Sequence, residues 1–258
     1  MVTAIDHIVI VVSDLEAAIN SYWRLGFTVV RGGRHPAIGT HNALVAFADG
    51  AYFELIAFLP PLSATPHPWY AALRHGGGLT DFCVRTNDLE ADAAAFRQAG
   101  AAITKPFRMS RERPDGYKLS WVLATVEGAQ RGVVPFFIRD ETPRDQRVPR
   151  EHSHRNGVTG IKTLTLAVGD VPSIAHIYRK ALGVAGEAIK RGDLGGNGLR
   201  FMIGPHELQM LGNDGAGLVE ERLRMRGPSP LEVVLAGPAG ASRLLDPASA
   251  AGARIVIG

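Results

Sequence analysis

The chain has a single cysteine, Cys83, in 258 residues. One thiol cannot close an internal disulfide, and it excludes zinc–cysteine sites and paired-cysteine redox chemistry. Its place in the alternating segment LTDFCVRT suits a small buried side chain. Long apolar runs are also missing. The longest, such as Ile8 to Val12 and Val133 to Ile138, fall well short of the roughly 20 residues that cross a bilayer as a helix. The opening MVTAIDHIVIVVSDL has no basic n-region and no small-residue cleavage site, so a cytoplasmic protein without membrane contact is expected. The sequence has no GxGxxG after a strand with an acidic residue further on, no Walker-type GxxxxGK[ST] and no GxSxG elbow. The glycine-rich GDLGGNGLR at 192–200 lies between two predicted strands, away from any helix start that could cradle a phosphate.

An excess of one charge is lacking too. There are 28 Lys and Arg against 25 Asp and Glu, a formal net charge of +3. Basic residues do gather at Arg139, Arg144, Arg147, Arg150 and Arg155, but Asp140, Glu141, Asp145 and Glu151 are interleaved with them. This pattern fits a solvated linker, and no nucleic-acid partner is expected. The HSH pair His152 and His154 falls in the same stretch and is expected to be solvated there.

What is present is apolar sequence in quantity: 46% hydrophobic and 21% charged residues, enough for one large core or two ordinary ones. Ala4 to Val12 reads as a buried strand, and Ser13 or Asp14 as the cap of a helix from Leu15 to Leu25 that stops at Gly26. Strands follow at Phe27 to Arg31, Ala43 to Ala48 and Tyr52 to Phe58, with Asp49-Gly50 as the turn before the last. The order is βαβββ. It returns from LTDFCVRTNDL at 79–89, whose helix runs from Glu90 to Ala99, and again from GIKTLTLAVGD at 160–170, which pairs Asp14 with Asp170 and Tyr22 with Tyr178. A fourth, incomplete copy spans Leu231 to Gly258. One such unit leaves a sheet face bare, so units must pair. The expected fold is α+β, with repeated βαβββ modules paired into open, curved mixed sheets. Two modules fill 1–140, a linker covers 141–158, and a shorter second domain fills 159–258.

The strand DHIVIVVSDL (Asp6 to Leu15), the helix ending LGF (Leu25 to Phe27) and the strand YFELIAF (Tyr52 to Phe58) resemble the vicinal oxygen chelate superfamily. The loop GGRHPAIGTHNAL (Gly32 to Leu44) and the segment RPDGYKLSW (Arg113 to Trp121) resemble its glyoxalase-like branch. The resemblance implies a divalent metal inside the curved sheet, held from the first and last strands of paired units. In the first unit those positions are His7 and Glu54, and the second-unit position matching His7 is Asp81, whereas VVPFFIRD offers no central Glu. In the second domain Thr163 takes the place of His7 and Glu207 that of Glu54, a degenerate copy. Imidazole and carboxylate suit Zn, Mn, Fe, Ni, Co or Mg, and open positions on such an ion could chelate two neighbouring substrate oxygens.

Each of these residues also has a plainer reading. His7 can be a satisfied structural histidine, and strand alternation can turn Glu54 to solvent with Phe53 and Leu55 inward. Substrate contacts are expected from His35 and Asn42 in the glycine-rich loop, and from Arg113 and Trp121 through carboxylate binding and stacking. His41 is the candidate base, and also the candidate second histidine of a two-His-one-carboxylate site. The leading expectation is a metal-dependent lyase, isomerase or dioxygenase acting on a small molecule with neighbouring oxygens. The alternative is a metal-free binding or sequestering protein of the same fold. Sheet edges left by the incomplete fourth unit could pair with a second copy in a homodimer.

Overall fold

The computed structural model describes residues 1–60, 67–240 and 242–258. The chain opens with β1 (Val2–Val11), α1 (Leu15–Arg24), β2 (Val30–His35), β3 (Thr40–Ala46) and β4 (Tyr52–Phe58). The same order returns as β5 (Gly78–Thr86), α2 (Leu89–Gln98), β6 (Phe107–Glu112), β7 (Lys118–Ala124) and β8 (Phe136–Asp140). After the single turn α3 (Arg144–Arg147) come β9 (Gly160–Ala167), α4 (Val171–Leu182), β10 (Glu187–Arg191), β11 (Gly196–Ile203) and β12 (His206–Asn213). Helix α5 (Leu218–Arg226) then precedes β13 (Ser229–Ala236), β14 (Arg243–Leu244) and β15 (Ile255–Ile257). The fold is mixed α+β with curved sheets.

One local device starts the helix of each of the first three repeats. Asp14, Asp88 and Asp170 each accept a hydrogen bond from the backbone N–H three residues on, at 3.0 to 3.1 Å, satisfying a first-turn amide of α1, α2 and α4.

Strands β1 to β8 form a closed barrel in the order β1-β4-β3-β2-β6-β7-β8-β5, while β9 to β15 form a seven-stranded sheet that stays open. Paired modules thus close fully in the first sheet. The closing seam between β2 and β6 carries one residue pair, Arg34 with Glu112. Gly33, at φ 137°, lies on that seam, where a Cβ would overlap the Glu112 carbonyl.

A single apolar core joins barrel and sheet. It takes Ile8, Ile10, Phe53 and Phe82 from the barrel and Leu164, Leu208 and Val233 from the second sheet. The pairing of Tyr22 with Tyr178 has a structural meaning: Tyr22 donates to the Ala250 carbonyl at 3.1 Å and Tyr178 to the Val133 carbonyl at 2.8 Å, each reaching across to the other half. His206 Nδ1 accepts from Ile5 N at 2.9 Å, and Asp49 Oδ2 takes both His206 Nε2, at 3.2 Å, and Ile161 N, at 2.7 Å.

Two expectations for the connecting stretch are corrected. Arg144 and Arg147 are not solvated: both pair with Asp6 and Asp140, because a carboxylate buried in β1 requires compensating cations. His154 is likewise anchored, accepting from Thr28 N at 3.0 Å and donating to the Ala46 carbonyl at 2.9 Å, while its neighbour His152 is exposed. In the second sheet the register also reassigns a residue. Tyr52 lies opposite His7 and Glu54 opposite Val9, whereas Glu207 lies opposite Thr163 and Gln209 opposite Thr165. Gln209, not Glu207, therefore occupies the Glu54 position. The concave face there is filled by Leu194, Leu211, Leu231 and Val219 of α5.

Candidate active site

The barrel interior holds one polar cluster set in an apolar wall. Val9, Val11, Ile56, Cys83, Leu119, Trp121, Phe136 and Ile138 pack together there. A small cavity of about 60 Å³ opens among them, and His7, His35, Asn42, Tyr52, Glu54 and Arg111 line it.

Glu54 faces this cavity although Phe53 and Leu55, its strand neighbours, are also buried. Both faces of β4 are covered, so alternation sends the two apolar residues to the outer core and the carboxylate inward. Asn42 Nδ2 donates to Glu54 Oε1 at 2.6 Å. His7 Nε2 stands 3.5 Å from Glu54 Oε2, and His35 Nε2 stands 3.9 Å from Glu54 Oε1. Burial alone would raise the Glu54 carboxyl, but His7, His35 and the Asn42 hydrogen bond outweigh it and hold the group below its ordinary value. Burial pulls His35 down to about 4, against the opposing effect of Glu54, so its ring is neutral at pH 7.

The far side of the His7 ring is fixed. A register shift in β1 makes Asp6 an extra residue between Ile5, opposite Val84, and His7, opposite Cys83. Asp6 Oδ1 accepts from His7 Nδ1 at 2.8 Å. Burial would raise Asp6, yet Arg147, the His7 bond and Arg144 together hold it well below the usual carboxylate range. With Nδ1 turned to Asp6, Nε2 is the ring atom that faces Glu54. Tyr52 stacks on His7 with ring centroids 4.7 Å apart, and Arg147 donates to the Tyr52 hydroxyl at 2.6 Å. His35 is held by Thr40 Oγ1 at 3.0 Å from its Nδ1 and by the edge of Trp121, centroids 6.0 Å apart.

His7, Glu54, His35, Asn42 and Trp121 therefore meet at one cavity; His41, Arg113 and Asp81 do not line it. His41 opens onto an outer cleft with Glu16, Arg31 and Pro114, because its neighbours Thr40 and Asn42 on β3 take the inward face. Arg113 pairs with Asp115 on the surface. Asp81 is buried, accepting from Trp69 Nε1 at 2.8 Å and Phe82 N at 2.9 Å, and burial lifts its carboxyl to about 7. Asp6, His7 and Cys83 also cluster closely enough for a cation. In that cluster Asp6 is already paired with Arg144 and Arg147.

Sequence reasoning passed over Arg111, Arg147, Tyr52 and Trp69. The alternation of FRMSRE in β6 carries a signal for the first, since it sets Met109 and Arg111 on one face.

A barrel of two βαβββ modules with a histidine on its first strand and a glutamate on its fourth, both facing the interior, defines a protein of the vicinal oxygen chelate type. The model of the glyoxalase-like domain matches residues 5–182, and the chain belongs to that family. A comparison with curated proteins finds no match. Among solved structures, a hypothetical protein from Staphylococcus aureus superposes with a TM-score of 0.70 at 17% identity, covering 98% of both chains. A mutant of 4-hydroxymandelate synthase from Streptomyces coelicolor gives 0.60 at 16% identity, over 92% of this chain and 71% of the other. A fusion of a xylose isomerase-like TIM barrel with 4-hydroxyphenylpyruvate dioxygenase gives 0.54 at 15%, over 92% of this chain and 36% of the other. At these identities the likeness is one of fold. No helix among the described residues is long and apolar enough to cross a membrane.

Proposed function

We propose that the protein is a metal-dependent enzyme of the vicinal oxygen chelate type, in which His7, His35 and Glu54 hold a divalent cation against a small substrate with neighbouring oxygens. The observation that carries this reading is the placement of two imidazole Nε2 atoms, at 3.5 and 3.9 Å, on the two oxygens of one buried carboxylate. Two imidazole nitrogens and a carboxylate are a donor set suited to a borderline divalent cation. A cation bonded at about 2.0–2.2 Å to each donor requires donors no more than about 4.4 Å apart. Each histidine lies within that span of one Glu54 oxygen, though of different oxygens. The three side chains do not form a set whose donor atoms all lie within 4.8 Å of one another, so they would have to draw together on the ion. When bound, such an ion supplies Lewis acidity towards two adjacent oxygens.

The residues around it have defined tasks. Asp6, held ionised by Arg144 and Arg147, fixes the His7 tautomer and ring plane. Asn42 orients Glu54 by its hydrogen bond. Trp121, Phe136 and Ile138 keep the cavity floor apolar and exclude water. Lyase, isomerase and dioxygenase chemistry all fit this arrangement, and the dioxygenase named among the structural neighbours is consistent with the last. The absence of a ligand from the second module, where β8 presents Phe136 and Ile138, favours a metal-free binder as the competing reading.

Elemental analysis of protein stripped and reconstituted in turn with Zn, Mn, Fe, Co, Ni and Mg separates the two. About one ion per chain is expected with at least one of these metals, lost in His7→Ala and Glu54→Gln and retained in His41→Ala. Wild-type protein that retains none of the six metals contradicts the proposal.

A further inference from the structure

The structure assigns the cavity a ligand class: we infer that Arg111 anchors a carboxylate, so that the ligand is a small organic acid with a flat apolar body. This rests on the cavity described above being the ligand site, but not on the cation. Arg111 comes from β6, whose alternation turns Met109 and Arg111 inward while Arg108 and Ser110 face out. Only 4% of its surface is exposed, yet it lies within salt-bridge distance of no carboxylate among the described residues. Its bonds go to two neutral acceptors, Nη1 to Asn42 Oδ1 at 3.2 Å and Nη2 to the Arg147 carbonyl at 3.0 Å, and Nε has no partner.

The contrast with Arg147 is informative. That side chain is as deeply buried, but Asp6 and Asp140 both pair with it. Two acidic and two basic groups, Asp6 and Asp140 with Arg144 and Arg147, compensate one another, and Glu54 takes its hydrogen bond from Asn42 rather than from Arg111. Arg111 is left as a buried cation that no carboxylate touches: Glu54, its nearest counter-charge, reaches it only across Asn42, and its Nε stays unpartnered, a costly arrangement that an arriving anion would relieve. Burial accordingly holds its guanidinium below the ordinary arginine value. A carboxylate is the planar anion that matches the guanidinium fork. The remaining walls, Trp121, Leu123, Phe136 and Met109, suit a flat apolar body.

The test titrates salicylate and its neutral isostere salicylamide into the full chain by calorimetry at pH 7.5, once metal-stripped and desalted, and once loaded with Mn²⁺. For metal-stripped wild type, salicylate is expected to bind about tenfold or more tightly than salicylamide, as a charge-assisted bond implies. Arg111→Gln removes most of that preference and leaves salicylamide within about twofold. Arg111→Lys, which keeps the charge but not the fork, retains an intermediate preference and serves if the Gln variant does not fold. Equal affinities in stripped wild-type protein, no binding of either compound at millimolar concentration, or unchanged salicylate binding by folded Arg111→Gln would each overturn the inference. Failure to load Mn²⁺ while the preference persists would count against the cation and leave the carboxylate anchor standing.

Discussion

A carboxylate buried in a barrel has two fates in this molecule. Glu54 and Asp6 stay ionised because imidazole, amide and guanidinium groups surround them, as the lowering of both carboxyls reflects. Asp81 has only neutral donors, the Trp69 indole and backbone N–H groups, and burial carries it to about 7. Its folded value thus lies above the ordinary aspartate value, so its contribution to stability is complete below that ordinary value and is lost as pH rises through about 7. Asp81→Asn, which cannot ionise, is therefore expected to compare more favourably with wild type at pH 9 than at pH 5. Urea unfolding at the two pH values measures this, and a difference that is flat or moves the other way contradicts it.

At the scale of elements, the short β2–β6 seam and the bulge beside it decide which histidine enters the site. The register of β2 against β3 shifts between Arg31 and Gly33, so that Gly32 and His35 both come to face inward. Period-two reading from the sequence cannot see such a shift, which hides His35 as a site histidine; His41 is instead excluded by simple alternation beside the inward Asn42. Glu207 misses the Glu54 position for another reason, a slip of two residues along the strand that alternation does not expose. By contrast, His7 and Glu54 were legible because strand position and family resemblance place them, and Asp14 because an N-cap is a local property. Arg144 and Arg147 were not legible as site residues, since only the tertiary partner each meets distinguishes them from surface arginines, whereas Arg111 had the alternation of β6 to mark it. Gly32 makes room for the result: a Cβ there would overlap the Asn42 side chain and crowd Arg111. Gly32→Ala is expected to cost about 1–3 kcal/mol through overpacking, read from the denaturant midpoint. A variant as stable as wild type would show that the Asn42–Arg111 contact does not depend on that space.

For the whole molecule, barrel and open sheet are joined by a shared core and by hydrogen bonds that cross between them. Asp49 is the densest of these links, accepting from Ala51 N, Ile161 N and His206. Burial would raise it, but the His206 bond and the two backbone bonds outweigh that and lower it. A depressed folded value contributes stability above the ordinary aspartate value, lost as pH falls through the folded one. Asp49→Ala is thus expected to destabilise the chain more at pH 7 than at pH 3, in a single unfolding transition; an equal loss at both pH values contradicts this. The central claim, that the barrel cavity is a cation site built by His7, His35 and Glu54, is tested most directly by crystals of the protein loaded with Mn²⁺. An anomalous difference map should show one peak enclosed by those three side chains. A map with no peak, or with its peak at Asp6 and Cys83, would contradict the account.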